Sequence, residues 1–463
     1  MGVNFSVFDI GRKALRASQL GVAVTSHNIA NVNTPGYSRQ GVQLSPDPAL
    51  PLGGQLIGTG VRIDGVKSFR DKFIETRLQT ETGINGRLTA QRDTLTAVDN
   101  TFNELDGTGG INRTLQNFFG SFRDLEANPS AVALRTSVVE RGKSLAYAFH
   151  TTNDRLVETR HSADQDIRTT VEKVNGLTEQ IATLNQKIRL AESVGDPTGD
   201  LEDQRATAVN QVAEFTGARS AVNTDGTISF TLNDGQPLVF GDQAVKLTIE
   251  DAPPNGLAVI KLNGQVADIS DGRLRGLLNS INDINGFIQS LDELAASIAT
   301  RVNTLHAAGI DAQGNAGVNF FAPSQGATIN AATFDVSAAL KADARRVVAT
   351  PSGAGLGDGT VARNIANLLS DPTSVAGTKT GSFTTLYGLI VTQAGEAAKT
   401  AETDLTTQAA ILSQTQAQRD AVSGVSLDDE AINLLQYQKA YEAAARFLKI
   451  ADEMTQTILQ LGQ

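Results

Sequence analysis

The chain of 463 residues contains no cysteine and no tryptophan, and only 5% of its residues are aromatic. Without cysteine, the sequence excludes disulfide bonds, iron–sulfur clusters, thiolate zinc sites and cysteine nucleophiles. The four histidines show no two-histidine metal spacing. The composition therefore disfavours an enzyme, and we expect no catalytic residues, no cofactor and no bound metal.

Positive charge is also scarce, because 39 Lys and Arg residues face 50 Asp and Glu residues, for a net charge of −11. Nucleic-acid binding requires clustered positive charge, so no nucleic-acid partner is expected. No run of about 18 apolar residues occurs, which predicts no membrane-spanning helix and no membrane partner. Arg12, Lys13 and Arg16 lie within the first apolar stretch and not ahead of it, unlike the pattern of a cleavable signal peptide.

The first thirty residues have the spacing of an amphipathic helix. Apolar side chains recur there every seven residues, at Phe8, Leu15, Val22 and Ile29. Ser6 followed by Asp9 resembles a capping box and predicts the start of this helix. Thr34, Pro35 and Gly36 predict its end, because proline and glycine do not continue a helix.

The last segment, Leu427 to Leu461, has a matching pattern with two apolar heptad rows. One row consists of Leu434, Tyr441 and Leu448, and the other of Tyr437, Ala444, Ala451 and Ile458. Residues 1–40 carry a net charge of +3 and residues 425–463 a net charge of −3. Because opposite charges attract, we expect the two terminal helices to pair with each other.

The middle of the chain alternates between helical and strand patterns. Helices are predicted at about Phe69–Leu105, Asn112–Glu126, Ala131–Ala191, Arg273–His306 and over most of Val361–Val422, and residues 201–215 are predicted to return along the third of these as an antiparallel hairpin. Residues 37–66 indicate loops with a β-hairpin. Between Gly217 and Ile269, short apolar runs alternate with turn residues, which is typical of a small β domain.

These patterns predict a mainly α fold with an inserted β domain and a discontinuous terminal coiled-coil segment. We assign residues 1–35 and 425–463 to the paired terminal helices and residues 217–272 to an outer β domain. Residues 36–216 and 273–424 then form a rod-like, mainly helical core domain.

Motifs for catalysis or ligand binding are incomplete. Gly142-Lys143-Ser144 lacks the earlier glycine of a phosphate-binding loop, since position 137 is Ser137. The segment from Asp311 to Ala322 lacks the glycine and the glutamate of a calcium loop. The acids Asp428, Asp429 and Glu430 are interpreted as complements to a helix dipole, with Ser426 as the cap.

The run from Asn28 to Tyr37, Asn-Ile-Ala-Asn-Val-Asn-Thr-Pro-Gly-Tyr, resembles the N-terminal motif of the axial proteins of the bacterial flagellum, the rod, hook and hook-associated proteins. Its continuation, Ser38-Arg39-Gln40, is similar to the hook-associated members. Ser423–Glu430, Leu435–Tyr441 and Ala451–Met454 resemble the same members, as do interior blocks such as Asn303–Asp311. The resemblance covers both ends and scattered interior segments.

This resemblance implies a structural adaptor that polymerises between hook and filament. The terminal helices would form an inner tube, the helical middle an outer wall, and the β domain would point outward. The implied partners are further copies in a homo-oligomeric ring, the hook protein, a second hook-associated junction protein and an export chaperone. The resemblance also implies type III export without a cleaved signal peptide, to an extracellular flagellum.

We expect the polymerisation interface to comprise the terminal heptad residues together with Asn28, Asn31, Thr34, Pro35, Gly36 and Tyr37. Because isolated helices are marginal in water, residues 1–30 and 430–463 are expected to be mobile in the free subunit and to order on assembly. Three alternatives remain at this point: another rod or hook protein, a secreted adhesin or binding module, and a glycan hydrolase that uses Asp/Glu pairs of the β domain.

Overall fold

The computed structural model describes residues 2–52, 55–102, 110–253 and 256–461. Most of this chain is helical. The α-helices are α1 (Gly2–Ala30), α2 (Lys72–Phe102), α3 (Ile111–Ala127), α4 (Val132–Val194), α5 (Gly199–Thr216), α6 (Gly272–Ala307), α7 (Ala338–Ala342), α8 (Thr360–Asn367), α9 (Phe383–Ser423) and α10 (Leu427–Leu461). Short 3₁₀ turns span Ala344–Arg346 and Leu368–Ser370.

The strands are short and pair only with antiparallel neighbours. They are β1 (Gln40–Pro46), β2 (Leu50–Leu52), β3 (Gln55–Ile57), β4 (Val61–Ser68), β5 (Arg219–Val222), β6 (Ile228–Thr231), β7 (Pro237–Phe240), β8 (Gln243–Ala244), β9 (Leu247–Ala252), β10 (Leu257–Leu262), β11 (Gln265–Val266), β12 (Gly309–Ile310), β13 (Phe321–Pro323), β14 (Phe334–Val336), β15 (Thr350–Pro351), β16 (Val375–Ala376) and β17 (Lys379–Thr380). The sheet orders are β5-β6-β7-β8 and β11-β10-β9, and the remaining pairs are β1-β4, β2-β3, β12-β15, β13-β14 and β16-β17.

The mainly α fold with inserted β structure is confirmed. The predicted hairpin is formed by α4 and α5, and Gly195 ends α4 in the left-handed conformation with φ of 80°. Glycine adopts this conformation without the steric cost that a Cβ brings. α6 begins where Asp271 caps it by accepting a hydrogen bond from the Gly272 N–H.

One hydrophobic core lies where α3, the first part of α4, α6 and the start of α9 meet. Phenylalanines dominate it: Phe118 packs edge to face against Phe119, Phe122 and Phe320. Gly142, part of the incomplete phosphate-loop motif, lies against this cluster. A Cβ at Gly142 would be 2.9 Å from atoms of both Phe320 and Val336, so the glycine serves close packing.

A second hydrophobic core joins the β strands to the helices. Apolar side chains of β6, β7, β9 and β10 pack with the second half of α4, with α5 and with the first turns of α6. The α4 heptad residues Ile167, Val174 and Ile181 are fully or almost fully buried in it. The β segment between residues 217 and 272 therefore shares its core with the neighbouring helices.

Two local predictions are wrong. Ser6 does not cap the first helix, because α1 already begins at Gly2, and Asp9 forms an ion pair with Arg12 one turn later. The helix predicted over most of Val361–Val422 is interrupted between Asn367 and Phe383 by a 3₁₀ turn and the β16-β17 hairpin. Leu105, the predicted end of the second helix, lies outside the described residues.

Several strands escaped prediction because they are too short to show alternation. They are β5, β8, β11 and the strands of the small hairpins after α6. In the described ranges, no helix combines the length and apolarity that crossing a bilayer needs.

His306 is fully buried at the end of α6 and has partners on both ring nitrogens. Its Nδ1 lies 2.5 Å from the Val318 carbonyl oxygen, and its Nε2 lies 2.9 Å from the Val348 nitrogen. Nε2 can accept the hydrogen bond from the Val348 N–H only when the imidazole ring is neutral. Burial lowers the pKa of His306 to about 4.

We therefore predict that the protein loses stability as the pH falls from about 6.5 to about 4. The unfolded chain takes up a proton at His306 near pH 6.5, whereas the folded chain resists protonation until about pH 4, so acid favours unfolding. The loss should approach about 3 kcal/mol at pH 4, at ~1.36 kcal/mol per pKa unit. Guanidinium unfolding of the wild type and of His306→Gln at pH 7 and pH 5 measures it. The variant should show a smaller difference between the two pH values; an equal difference would contradict the assignment.

Candidate functional site

The two terminal helices pack against each other in antiparallel orientation. Gly11 lies against Leu448, Gly21 against Tyr437, and Asn28 bonds to Glu430 near the body of the protein. α10 has α1 as its main packing neighbour, whereas α1 also contacts β1 and β4. The chain thus begins and ends side by side, in one two-helix segment.

Small residues set the close approach of this pair. A Cβ at Gly11 would lie 2.6 Å from Leu448 Cδ2, and one at Gly21 would lie 2.4 Å from the Tyr437 ring. Ala17 of α1 and Ala444 and Ala451 of α10 are buried in the same seam. Larger side chains at these positions would force the helices apart.

Most of the predicted heptad residues lie along this seam, but few are fully covered. Phe8, Leu15, Val22 and Ile29 of α1 are half-buried, as are Leu434, Tyr437 and Leu448 of α10. Tyr441 remains 41% exposed. The side chain of Ile458 lies outside the described residues. A two-helix contact buries only part of each apolar row.

α10 carries a second set of apolar side chains on its far side. These residues, which we call the outer face, are Ile432, Leu435, Ile450 and Met454, and they are 55% to 61% exposed. At 3.6 residues per turn they lie roughly 140° around the helix from the row that contacts α1. The outer face therefore cannot be covered by α1.

Asn28 connects the terminal pair to the rest of the chain and is 1% exposed. Its Oδ1 accepts hydrogen bonds from the Tyr37 hydroxyl at 2.7 Å and from the Gln40 N–H at 3.0 Å. Its Nδ2 donates to the Gln40 carbonyl at 2.8 Å and to Glu430 Oε2 at 3.1 Å. This one side chain uses its complete hydrogen-bonding capacity to join α1, the following turn, β1 and α10.

Glu430 is 2% exposed, and Arg39 supplies the nearby positive charge. Arg39 Nε lies 3.5 Å from Glu430 Oε1, and the Arg39 guanidinium also stacks on the Phe69 ring at 4.5 Å from its centroid. Because a buried carboxylate is costly without partners, Glu430 can enter this place only when Asn28 and Arg39 are in position.

The turn after α1 is anchored to the body by Arg419 of α9 and Asp203 of α5. Arg419 Nη2 donates to the carbonyls of Gly36 and Tyr37, each at 3.2 Å, and to Ser38 Oγ at 3.1 Å. Asp203 accepts from the Ser38 N–H at 3.1 Å and pairs with Arg70. We call Asn28, Tyr37, Arg39, Glu430 and Arg419 the polar junction.

The phenol of Tyr37 stays protonated in this setting. Burial raises the pKa of Tyr37 far above its ordinary value, and the negative charges of Asp200, Asp203 and Glu430 add to the effect. A protonated hydroxyl can donate to Asn28 Oδ1, as the 2.7 Å distance indicates. Tyr37 therefore acts as a fixed donor within the polar junction.

The remaining motif residues shape the turn and lie nearer to the surface. Asn31 Nδ2 donates to the His27 carbonyl at 3.0 Å, which satisfies a carbonyl at the end of α1. Thr34 donates to Asn31 Oδ1 at 3.1 Å, and Thr34 and Pro35 are exposed. Gly36 has φ of 81°, the left-handed region that glycine occupies without strain.

Sequence reasoning missed part of the junction. Glu430 was interpreted with Asp428 and Asp429 as a complement to the helix dipole, and Ser426 Oγ does accept from the Asp429 N–H at 3.3 Å. The side chain of Glu430, however, turns inward to Asn28. Arg419 and Asp203 gave no signal, because their partners are backbone atoms and residues far away in sequence. Within the described ranges, no cluster of His, Asp and Glu side chains is placed to hold a metal.

Comparisons with known families match three parts of the chain. Residues 95–321 match the flagellar hook-associated protein FlgK helical domain. Residues 416–461 match the C-terminal region of the flagellar basal body rod FlgEFG proteins, and residues 8–37 match the flagella basal body rod protein family. The terminal matches include Asn28 and Tyr37 at one end and Arg419 and Glu430 at the other, so they cover every residue of the polar junction except Arg39.

Curated relatives extend over almost the entire chain. Flagellar hook-associated protein 1 of Bacillus subtilis is 26% identical, with 99% of this chain and 98% of that protein aligned. The protein of the same name from Escherichia coli is 25% identical over 98% of this chain and 100% of its own length. A solved structure described as the flagellar hook junction protein FlgK from Burkholderia pseudomallei has the same fold, with a TM-score of 0.65 at 18% identity over 76% of this chain and all of that one.

The similarity therefore covers the terminal helices, the helical core and the order in which they occur. It also decides against the glycan hydrolase alternative, because the matched family is structural. The chain is similar to flagellar hook-associated protein 1 over almost its entire length, and it is a hook-associated structural component of the bacterial flagellum.

Proposed function

We propose that the chain is the adaptor between hook and filament and that it polymerises there through α1 and α10. The observation that carries this proposal is the outer face of α10, where four large apolar side chains are more than half exposed. Ile432 with Leu435, and Ile450 with Met454, form two apolar patches on this face, and exposed apolar patches mark interaction sites in proteins. Further copies of the same helix pair would cover it in a homo-oligomeric ring.

Dimensions support this role. α10 has 35 residues and at ~1.5 Å per residue is about 52 Å long. A helix of that length can contact several neighbouring subunits in a tube. The seam with α1 uses only one side of it, so the opposite side remains available for those neighbours.

The polar junction supplies the second element of the proposal, because it fixes the helix pair against the body. A rigid connection is needed if many subunits are to place their cores at one radius around a tube. Asn28, Tyr37 and Glu430 are buried at this connection, and Arg419 ties it to α9. The motif that carries the flagellar resemblance therefore has a mechanical role.

The proposed partners are other copies of the chain, the hook protein below the ring and a second hook-associated junction protein above it. An export chaperone is expected to keep the terminal helices apart before assembly. Export of the chain unfolded, through the flagellar type III apparatus and without a cleaved signal peptide, is part of the same proposal and places it on the extracellular flagellum.

We predict that Ile450→Asp abolishes junction assembly while leaving the monomer folded. Ile450 is 55% exposed, so an aspartate there loses little within the chain but puts a charge into the proposed interface between copies. Filament retention on hooks, measured by electron microscopy of cells that express only the variant, tests this. Gln438→Asp, an exposed position on the same helix outside the outer face, is the matched control and should support normal filaments.

The seam variants Leu448→Asp and Tyr441→Asp should also prevent assembly with the body still folded by circular dichroism. Leu448 contacts Gly11, so its variant additionally disrupts pairing of α1 and α10. Normal filaments on hooks in the Ile450→Asp or Leu448→Asp strain would contradict polymerisation through these helices.

We predict that Asn28→Ala reduces junction assembly at least about tenfold. The change leaves the Tyr37 hydroxyl and the Gln40 backbone groups without their buried partner, at about 1–3 kcal/mol for each orphaned group, and it leaves Glu430 with Arg39 alone. The number of filaments per cell measures the effect. Asn33→Ala, an exposed asparagine of the same turn, is the control and should behave like the wild type.

Charge exchange tests whether Asn28 acts through Glu430. Asn28→Asp puts two carboxylates in buried contact and should be worse than Asn28→Ala. Adding Glu430→Gln removes the second charge and should restore assembly in part. If Glu430→Gln has no effect on the Asn28→Asp strain, the two residues do not work as a pair.

A further inference from the structure

A cleft of about 510 Å³ lies on the body, away from the seam of the terminal helices. It is bounded by the first two turns of α2, by α5 and by β5 with the turn that leads to β6. Its volume is within the range of sites that bind small ligands or single side chains of a partner. Two of its lining residues, Arg70 and Glu75, also support the turn after α1 through Asp203 and Arg419, but the proposed assembly mechanism assigns no ligand to the cleft itself.

Arg205 of α5 forms the floor of the cleft and is only 9% exposed. Its Nη1 donates to Asn185 Oδ1 at 3.0 Å and to the Gly226 carbonyl at 2.8 Å. Among the described residues, Arg205 forms no ion pair with a carboxylate, and the hydrogen bonds of its guanidinium are the two made by Nη1. Burial lowers the pKa of Arg205, which reflects the cost of this uncompensated charge.

Further donors without acceptors line the same cleft. Ser68 Oγ and Arg70 Nε are buried and have no hydrogen-bond partner, although Arg70 Nη2 is paired with Asp203. Lys72 lies exposed in the cleft wall, and its ammonium group is paired with no carboxylate among the described residues. Buried polar groups are normally satisfied, so unused donors that converge on one cleft indicate a missing acceptor.

The acidic side chains of the cleft do not supply that acceptor. Glu75 Oε1 is buried and accepts no hydrogen bond, but its charge is paired with Arg419, whose Nε lies 3.6 Å away, and Glu202 Oε1 accepts from Thr198 Oγ1 at 2.7 Å. Glu192 is exposed to solvent beside Gly226. The charges of Glu202 and Glu192 oppose the lowering of the Arg205 pKa from a distance, but neither forms an ion pair with the guanidinium.

We infer that this cleft binds a carboxylate group. Arg205 and Arg70 would donate to its oxygens from the floor, Ser68 would add a hydroxyl donor, and Lys72 would balance the charge at the mouth. Arginine suits this task because its N–H groups match the geometry of a carboxylate. The carboxylate belongs either to a free dicarboxylic acid or to an acidic side chain of a protein segment, and the two sources share this chemistry.

Calorimetric titration of the full chain with two probes tests the inference. The probes are succinate, for a free dicarboxylate, and the peptide acetyl-Asp-Glu-Asp-amide, for an acidic segment; acetyl-Asn-Gln-Asn-amide is the neutral control. At least one acidic probe should bind, and the neutral peptide should not. Binding of succinate alone identifies the free acid, and binding of the acidic peptide alone identifies the protein segment; either result supports the site.

Variants connect the binding to this cleft. Lys72→Glu should weaken binding of the acidic probe at least about tenfold. Ser68→Ala should weaken it about three- to tenfold, as expected for one lost hydrogen bond at ~1 kcal/mol. Neither side chain has an intrachain partner to lose, so the fold should be unaffected. Lys173→Glu, an exposed lysine of α4 outside the cleft, should change affinity less than about twofold. Failure of both acidic probes, or equal weakening by Lys72→Glu and Lys173→Glu, would overturn the inference without affecting the proposed assembly role.

Discussion

The structure depends on one limitation: a pair of helices can cover only one side of each partner. α1 and α10 meet along glycines and alanines, so they approach closely, but most of their large apolar side chains stay only half-buried. The outer face of α10 remains uncovered as a direct consequence. An isolated two-helix segment gains most of its stability from such packing, so we expect this one to be marginal until more helices join it. The same limitation makes the pair a suitable element for a polymer, because its missing contacts can only be supplied by neighbours.

The polar junction fixes the orientation of this helix pair relative to the rest of the molecule. Apolar packing alone would let the pair rotate or slide, whereas the four hydrogen bonds of Asn28 require one geometry. Glu430 depends on the same geometry, because its buried carboxylate is tolerated only when Asn28 and Arg39 are in place. Different residues therefore set the orientation and the strength of the contact. The polar junction fixes the orientation of the helix pair, and the small apolar residues along the seam leave part of each helix uncovered.

The sequence predicted the helices and strands whose apolar residues recur regularly over a long stretch. It did not predict the features that are determined by contacts between residues far apart in the chain. The heptads of α4 and α10, the α4–α5 hairpin and the β segment all show patterns that extend over many residues. The β16-β17 hairpin inside the predicted last core helix does not, because its two-residue strands carry no period. The motif from Asn28 to Tyr37 predicts a polymerisation interface at this turn, yet its resemblance could not show that Asn28 faces Glu430 of the same chain, a residue 402 positions away. No sequence pattern pointed to Arg205. Its lack of an ion pair arises because the acidic side chains near it interact with other residues or with solvent, which only the folded structure shows.

The central claim, that the terminal helices are completed by other copies of the chain, is tested most directly by amide hydrogen exchange. The measurement compares α1 and α10 with the buried helices α3, α4 and α6, first in the free full-length monomer and then in the assembled junction. The account predicts rapid exchange in α1 and α10 of the monomer, slow exchange in the core helices, and strong protection of all of them after assembly. Protection of α1 and α10 in the monomer equal to that of α3 and α6 would contradict it, because the helices would then already be complete within one molecule.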